Sequence, residues 1–181
     1  MTKAITQTII GTPAYMAPEI FSDNDAQEGY TYSADFFSLG VFTYELLTGT
    51  TPFEGDASTM PRDVEQYYLA IMDNIEIGFV DWAEGTTISE TTQQFVDSLV
   101  ITDPPRRLGG GPKGIKEIKE HEFFKSLDWE LAEKRELNPP YIPALTNLAD
   151  TRHFDEFDVD VYDAMLGRGG EDPYEDLFKN F

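Results

Sequence analysis

Residues 33–48, SADFFSLGVFTYELLT, form the strongest helix-forming run in the chain. Ser33 reads as an N-cap, Asp35 falls in the first turn, and Gly49 and Pro52 end the run. The apolar residues are Phe36, Phe37, Leu39, Val41, Phe42, Tyr44, Leu46 and Leu47. They cover every side of the helix rather than one stripe. A helix apolar all round belongs inside a protein, so this segment is expected within a core.

The rest arranges itself outward from that helix. Upstream, residues 1–29 read as loop with one short helical piece, because Gly11, Pro13 and Pro18 interrupt it. Downstream, residues 62–74 (RDVEQYYLAIMDN) read as an amphipathic helix. Residues 90–102 read as another, with Phe95, Val96, Leu99 and Val100 on the buried side. A Pro/Gly-rich loop is expected over 103–114, then a helix over about 114–121 closed by HEFF (121–124). From about Asn138 the character changes, since Pro139, Pro140 and Pro143 enforce extended backbone. Residues 150–181 carry ten acids against Arg152, Arg168 and Lys179. The expected fold class is mainly α, a helical body followed by an extended acidic tail.

A length of 181 residues allows one domain with a real core plus a tail. Thirteen Phe, nine Tyr and two Trp argue for a packed body rather than a disordered chain. With no cysteine, disulfide and thiolate-metal chemistry are excluded. No signal peptide and no membrane-spanning run is apparent, and an intracellular, cytoplasmic location is expected. The formal charge of −21 speaks against nucleic-acid or anionic-lipid binding through bulk electrostatics. It suits either solubility or attraction of basic peptides.

Residues 11–19 read GTPAYMAPE, a loop whose path is fixed by one Gly and two Pro. Such a loop could present Ile9, Ile10 and Met16 to a ligand, or be only a loop. It resembles the end of the activation segment of protein kinases, with the A-P-E signature at Ala17-Pro18-Glu19. In the same order along the chain, YSADFFSLGVFTYELLTGTTPF (32–53) resembles kinase helix F. RRLGGGPKGIKEIKEHEFF (106–124) resembles the last helices of an AGC kinase domain. NPPYIP (138–143), DTRHFDEF (150–157) and Phe178-Lys179-Asn180-Phe181 resemble the AGC C-terminal tail. The chain is thus similar to the C-terminal lobe, from the activation segment on, plus the tail, of an AGC-group serine/threonine protein kinase. The resemblance implies a kinase-domain portion over 1–124 and a tail over 125–181. Subfamily stays open: LGGGPKG is similar to protein kinases B and C, while the ending at Phe181 is similar to the cyclic-nucleotide-dependent kinases.

The resemblance also assigns roles residue by residue. Thr8 matches a threonine that is phosphorylated by an upstream activating kinase. The alternative is an ordinary exposed Thr. Thr12 matches an active-site contact to the catalytic Asp and Lys. Ile9, Ile10, Pro13 and Met16 match the pocket for the substrate residue after the phosphoacceptor, or are core. Glu45, supported by Tyr15, matches an acid that binds a basic substrate residue, or forms a structural salt bridge. Ala14 stands where the cyclic-AMP-dependent kinase has a second such acid. Glu19 and Arg107 match a structural ion pair. Asp35 matches an acid that accepts catalytic-loop N–H groups; without them, either water reaches it or it is a buried carboxylate. Phe154 and Phe157 match tail aromatics beside the adenine pocket, and Phe178 and Phe181 match a hydrophobic motif that docks on the N-lobe.

The family reaction is ATP- and Mg²⁺-dependent phosphorylation of Ser or Thr in basic protein substrates. The chain has no D-F-G and no H-R-D. GGGPKG (109–114) is not a phosphate loop of the G-x-x-x-x-G-K-[ST] kind, and GRGG (167–170) does not fit the Gly-rich pattern. No catalytic or metal-binding residue is therefore expected within these residues, and neither ATP nor Mg²⁺ is expected to bind the chain alone. Three readings remain: part of an active kinase whose catalytic groups and N-lobe lie upstream, a non-catalytic peptide- or regulator-binding module, or a structural scaffold.

Overall fold

The computed structural model describes residues 11–21, 29–55, 61, 63–78, 80–82, 87–147 and 149–154. Six α-helices occur among them: α1 (Pro18–Phe21), α2 (Ser33–Thr48), α3 (Val64–Ile77), α4 (Glu90–Leu99), α5 (Ile115–Lys119) and α6 (Trp129–Lys134). Short 3-10 turns lie at Pro13–Tyr15 and Glu122–Phe124. With no β-strand among the described residues, the fold class is mainly α, as expected. The chain packs as two units, 1–137 and 138–181.

Helix α2 forms where expected but starts differently. Tyr32, already in helical conformation, is the N-cap, and it makes no side-chain capping bond. Backbone turns Ala34 N–H to Thr31 O (3.0 Å) and Asp35 N–H to Tyr32 O (3.1 Å) open the helix instead. Ser33 is therefore inside the first turn and buried. At the other end Gly49, φ 84°, takes the left-handed conformation that glycine adopts without strain.

The helix buries one stripe, Ala34, Phe37, Val41 and Tyr44. Phe42, Leu46 and Leu47 are 48%, 70% and 42% exposed, so the expectation of an enclosed helix fails. Phe36 and Leu39 pack on a second cluster beside this stripe, and the face of Asp35, Phe42 and Leu46 stays uncovered. Gly40 sets how closely α4 can approach. A Cβ there would lie 2.8 Å from both Leu99 Cβ and Val100 Cγ1.

Helix α3 is displaced from its expected bounds by its caps. Asp63 accepts from Gln66 N–H at 3.1 Å, and Gly78, φ 68°, stops the helix. Ile71 and Ile75, one turn apart, fill the core with Phe37, Val41, Phe53 and Val96. Ser89 caps α4, which buries Phe95, Val96 and Leu99, with Val100 buried at its C-cap. Trp82 lies 4.9 Å from Tyr44 and donates to Asp97 at 2.9 Å, closing the segment before α4 over that core.

A second apolar cluster joins Phe95 and Leu99 to Ile118. Phe95 stacks on Phe123 at 4.5 Å and meets Phe124 edge-on at 5.2 Å. Helix α6 was not expected. Asp128 accepts from Glu130 and Leu131 N–H groups, and Trp129 donates to Lys119 O at 3.0 Å. Its six residues show too little periodicity to be read, and the packing of Trp129 against Phe124 holds them.

In the second unit, residues 138–145 are irregular. Asp150 accepts from Thr146 N–H (2.7 Å) and Oγ1 (2.8 Å). These bonds, with those from Arg152, draw its carboxyl down to about 2. No helix among the described residues is long and apolar enough to cross a membrane.

Candidate functional site

The GTPAYMAPE segment sits on α2 and is fixed to it at two levels. Pro13 opens the 3-10 turn, Ala14 and Ala17 are buried, and Ser38 Oγ donates to Tyr15 O at 2.8 Å. Further along, Arg107 draws three stretches of chain together. It is 1% exposed and uses all five of its N–H donors. Two form a bidentate pair with Glu19, at 2.6 and 2.8 Å. The others reach Ser33 O (2.8 Å), Ile101 O (2.8 Å) and Thr102 O (3.4 Å). The guanidinium also lies 5.1 Å over the Phe37 ring. The sequence spacing of Glu19 and Arg107 is thus closed into a contact.

Tyr15 and Glu45 also meet. The Tyr15 hydroxyl donates a hydrogen bond to Glu45 Oε2. Accepting from the tyrosine, the carboxylate pushes the Tyr15 phenol above its ordinary value, and burial adds to the effect. Glu45 is half-buried, and among the described residues no Lys or Arg pairs with it. Its remaining oxygen is available to a further donor. The contact is therefore not a structural salt bridge among those residues, but an oriented carboxylate.

Asp35 is exposed, so water reaches it and the buried-carboxylate alternative falls. Thr12 is exposed and its side chain makes no capping bond. Met16 is 6% exposed, and a Cβ at Gly11 would approach its Cε to 3.3 Å. Pro13 is half-buried. Phe154, in the second unit, is exposed. Thr8, Ile9 and Ile10, and Phe157, Phe178 and Phe181 in the tail, lie outside the described residues.

One feature near Tyr15 escaped sequence reading. Glu54 accepts from Thr51 Oγ1 and from Tyr67 OH, each at 2.6 Å. The Thr51 and Tyr67 bonds hold the Glu54 carboxyl below its usual range, and the same carboxylate pushes Tyr67 up to about 12. Nothing in the spacing of Thr51, Glu54 and Tyr67 signals this, because the partners come from a turn and from the next helix.

No three His, Cys, Asp or Glu side chains among the described residues come together to hold a metal ion. The Lys, Asn and D-F-G groups that cradle nucleotide and metal in kinases are not in the sequence. These residues do not fit an ATP–Mg²⁺ site.

The chain matches the protein kinase domain family over residues 1–124. It is 36% identical over 154 residues to the human RAC-beta serine/threonine-protein kinase, covering 84% of this chain and 28% of that protein. RAC-beta serine/threonine-protein kinases A and B of Xenopus laevis are 36% and 35% identical over the same extent. The chain spans about 28% of the length of these curated relatives. A match over the greater part of the sequence, on a helical lobe that joins A-P-E to Arg107, shows that the chain belongs to the protein kinase family.

Proposed function

We propose that the chain is the helical lobe and tail of an AGC-type serine/threonine protein kinase, and that Glu45 oriented by Tyr15 reads a basic residue of a protein substrate. The Tyr15–Glu45 hydrogen bond carries this reading. It leaves a half-exposed carboxylate on the edge of the segment that, by resemblance, lies beside the phosphoacceptor. The RAC-beta relatives support the serine/threonine class. Pro13 and Met16, with Ile9 and Ile10, would form the neighbouring apolar subsite, with Pro13 the more open of the two described members.

The remaining assignments follow the same family logic. Thr8 is the site of an upstream activating kinase, whose phosphate would add about −1.5 to −2 charge. Thr12 and the exposed Asp35 serve a catalytic loop that these residues do not include. Phe154, Phe157, Phe178 and Phe181 serve an N-lobe, with the domain ending at 124 and the tail following. ATP and Mg²⁺ belong to the family reaction, and the 181 residues alone hold no group to perform it.

Titration with an Arg-rich, Ser-containing peptide tests the substrate reading. Glu45→Gln is expected to weaken binding by roughly tenfold, the worth of one charged hydrogen bond. Absence of binding at millimolar peptide overturns it. Phosphorylation of the same peptide by this chain with Mg-ATP would overturn the inactivity of the 181 residues.

A further inference from the structure

The loop between α4 and α5 encloses an open cleft of about 480 Å³, within the size range of small-ligand sites. Pro105, Leu108 and Pro112 form apolar walls, and Arg106 and Lys113 stand beside them. Both cations are exposed, and among the described residues neither has a carboxylate partner. Lys116, Lys119 and Lys125 instead pair with Glu120, Glu133 and Glu122, and the other two cations without a carboxylate partner among the described residues of this stretch, Lys134 and Arg135, do not line the cleft. Arg107 is consumed by Glu19.

The backbone adds to this. Within the loop, Arg106, Arg107, Leu108, Gly109, Gly110 and Gly114 N–H groups all have acceptors. The Gly111 and Lys113 N–H groups have none there, and both residues line the cleft. Glu117 lines it too, but one of its oxygens already accepts from Gly109 N–H at 3.1 Å.

The surrounding charge is unusual for this chain. Residues 106–135 hold eight of its thirteen Lys and Arg against six acids, while the chain as a whole is at −21. An anion repelled by most of the chain meets a locally net-basic stretch here.

We propose that this cleft is a binding site for an oxyanion carried on a small apolar group, a phosphate ester or a carboxylate. Arg106 and Lys113 neutralise the charge, the Gly111 and Lys113 N–H groups donate to its oxygens, and the two prolines and Leu108 cover the apolar part. The site is independent of the Tyr15–Glu45 reading, since it shares no residue with it.

Titration of the 181-residue chain with phenyl phosphate, phenylacetate and inorganic phosphate, followed through the Gly109–Lys113 amide NMR signals, tests the site. Saturable shifts are expected with at least one phenyl compound, and weaker ones with inorganic phosphate. The tighter of the two phenyl compounds identifies the anion. Arg106→Ala and Lys113→Ala are each expected to weaken binding by about fivefold, and Lys134→Ala, away from the cleft, to leave it unchanged. These side chains are exposed, so the variants keep the fold, as the unchanged amide spectrum outside the loop would show. No saturable shift, or binding indifferent to both loop substitutions, overturns the proposal. Equal binding of inorganic phosphate and the phenyl compounds overturns the apolar part.

Discussion

At the scale of single residues, Arg107 and Gly40 are the two positions where substitution has the most to break. Arg107 is enclosed, and its charge is answered by a Glu19 side chain that is 14% exposed. Arg107→Ala leaves that carboxylate and three backbone carbonyls short of donors, and is expected to cost about 3–5 kcal/mol in urea unfolding. Arg107→Lys should recover only a small part, because an ammonium cannot reproduce the planar fork. Gly40→Ala forces a methyl to within 2.8 Å of two α4 side chains, and a loss of about 1–3 kcal/mol is expected from overpacking. Gly111→Ala is the control: a Cβ there meets nothing within 4 Å, so stability should hold or rise slightly.

Sequence reading reached these two residues unequally. The A-P-E motif and the later Arg named the ion pair, but not its three backbone acceptors, because carbonyls carry no sequence label. Gly40 carries no reading in the sequence. Only the α4 side chains behind it explain why a glycine is needed.

At the scale of elements, the junction of α2 and α3 is held by ionisation as well as burial. Glu54, on the turn between them, ties Thr51 to Tyr67 of α3. Its carboxyl lies below the ordinary 4.5, so the stability it contributes is present above 4.5 and lost as pH falls through the lowered value. Tyr67 runs the other way: its contribution is present below 10 and lost as pH rises toward about 12. Glu54→Gln is therefore expected to lower the urea midpoint at neutral pH and to flatten its fall as pH drops below 4.5. An unchanged acid limb in the variant would show that other carboxylates govern it.

The helices themselves were largely legible. The Phe95, Val96, Leu99, Val100 face of α4 is buried as the period predicts, whereas its Ser89 cap carries no reading in the sequence and its end comes at Leu99 rather than 102. The enclosure of α2 was not legible, because composition says what a helix can bury and not which neighbours are present. Phe42, Leu46 and Leu47 show the difference. Helix α6 escaped because Trp129 and Asp128 fix it through contacts and a cap, with too few residues for a period.

At the scale of the whole molecule, the family was legible and the chemistry was not. The order of the motifs from GTPAYMAPE onward points to the protein kinase family, and the family match over 1–124 agrees. The Tyr15–Glu45 pairing was anticipated from that resemblance. The cleft of Arg106 and Lys113 carries no signature in the sequence, since GGGPKG does not fit a phosphate-loop pattern. Its character comes from cations left without partners, which only a structure reveals. In the second unit, the Thr146–Asp150–Arg152 turn is likewise local and unsignalled. An NMR pH titration should place the Asp150 carboxyl at about 2, and Thr146→Ala should raise it.

The Arg107 cluster has a kinetic meaning. Its partners at residues 19 and 33 are 88 and 74 positions away, so no local encounter can satisfy the guanidinium. Until both distant segments arrive, it must stay hydrated. Its bonds to Glu19 and Ser33 therefore close late, after the helices have met, while those to Ile101 and Thr102 can form locally; loosening the distant ones should quicken unfolding far more than it slows refolding. A single side chain acts here as a latch on an assembly that is otherwise already in place.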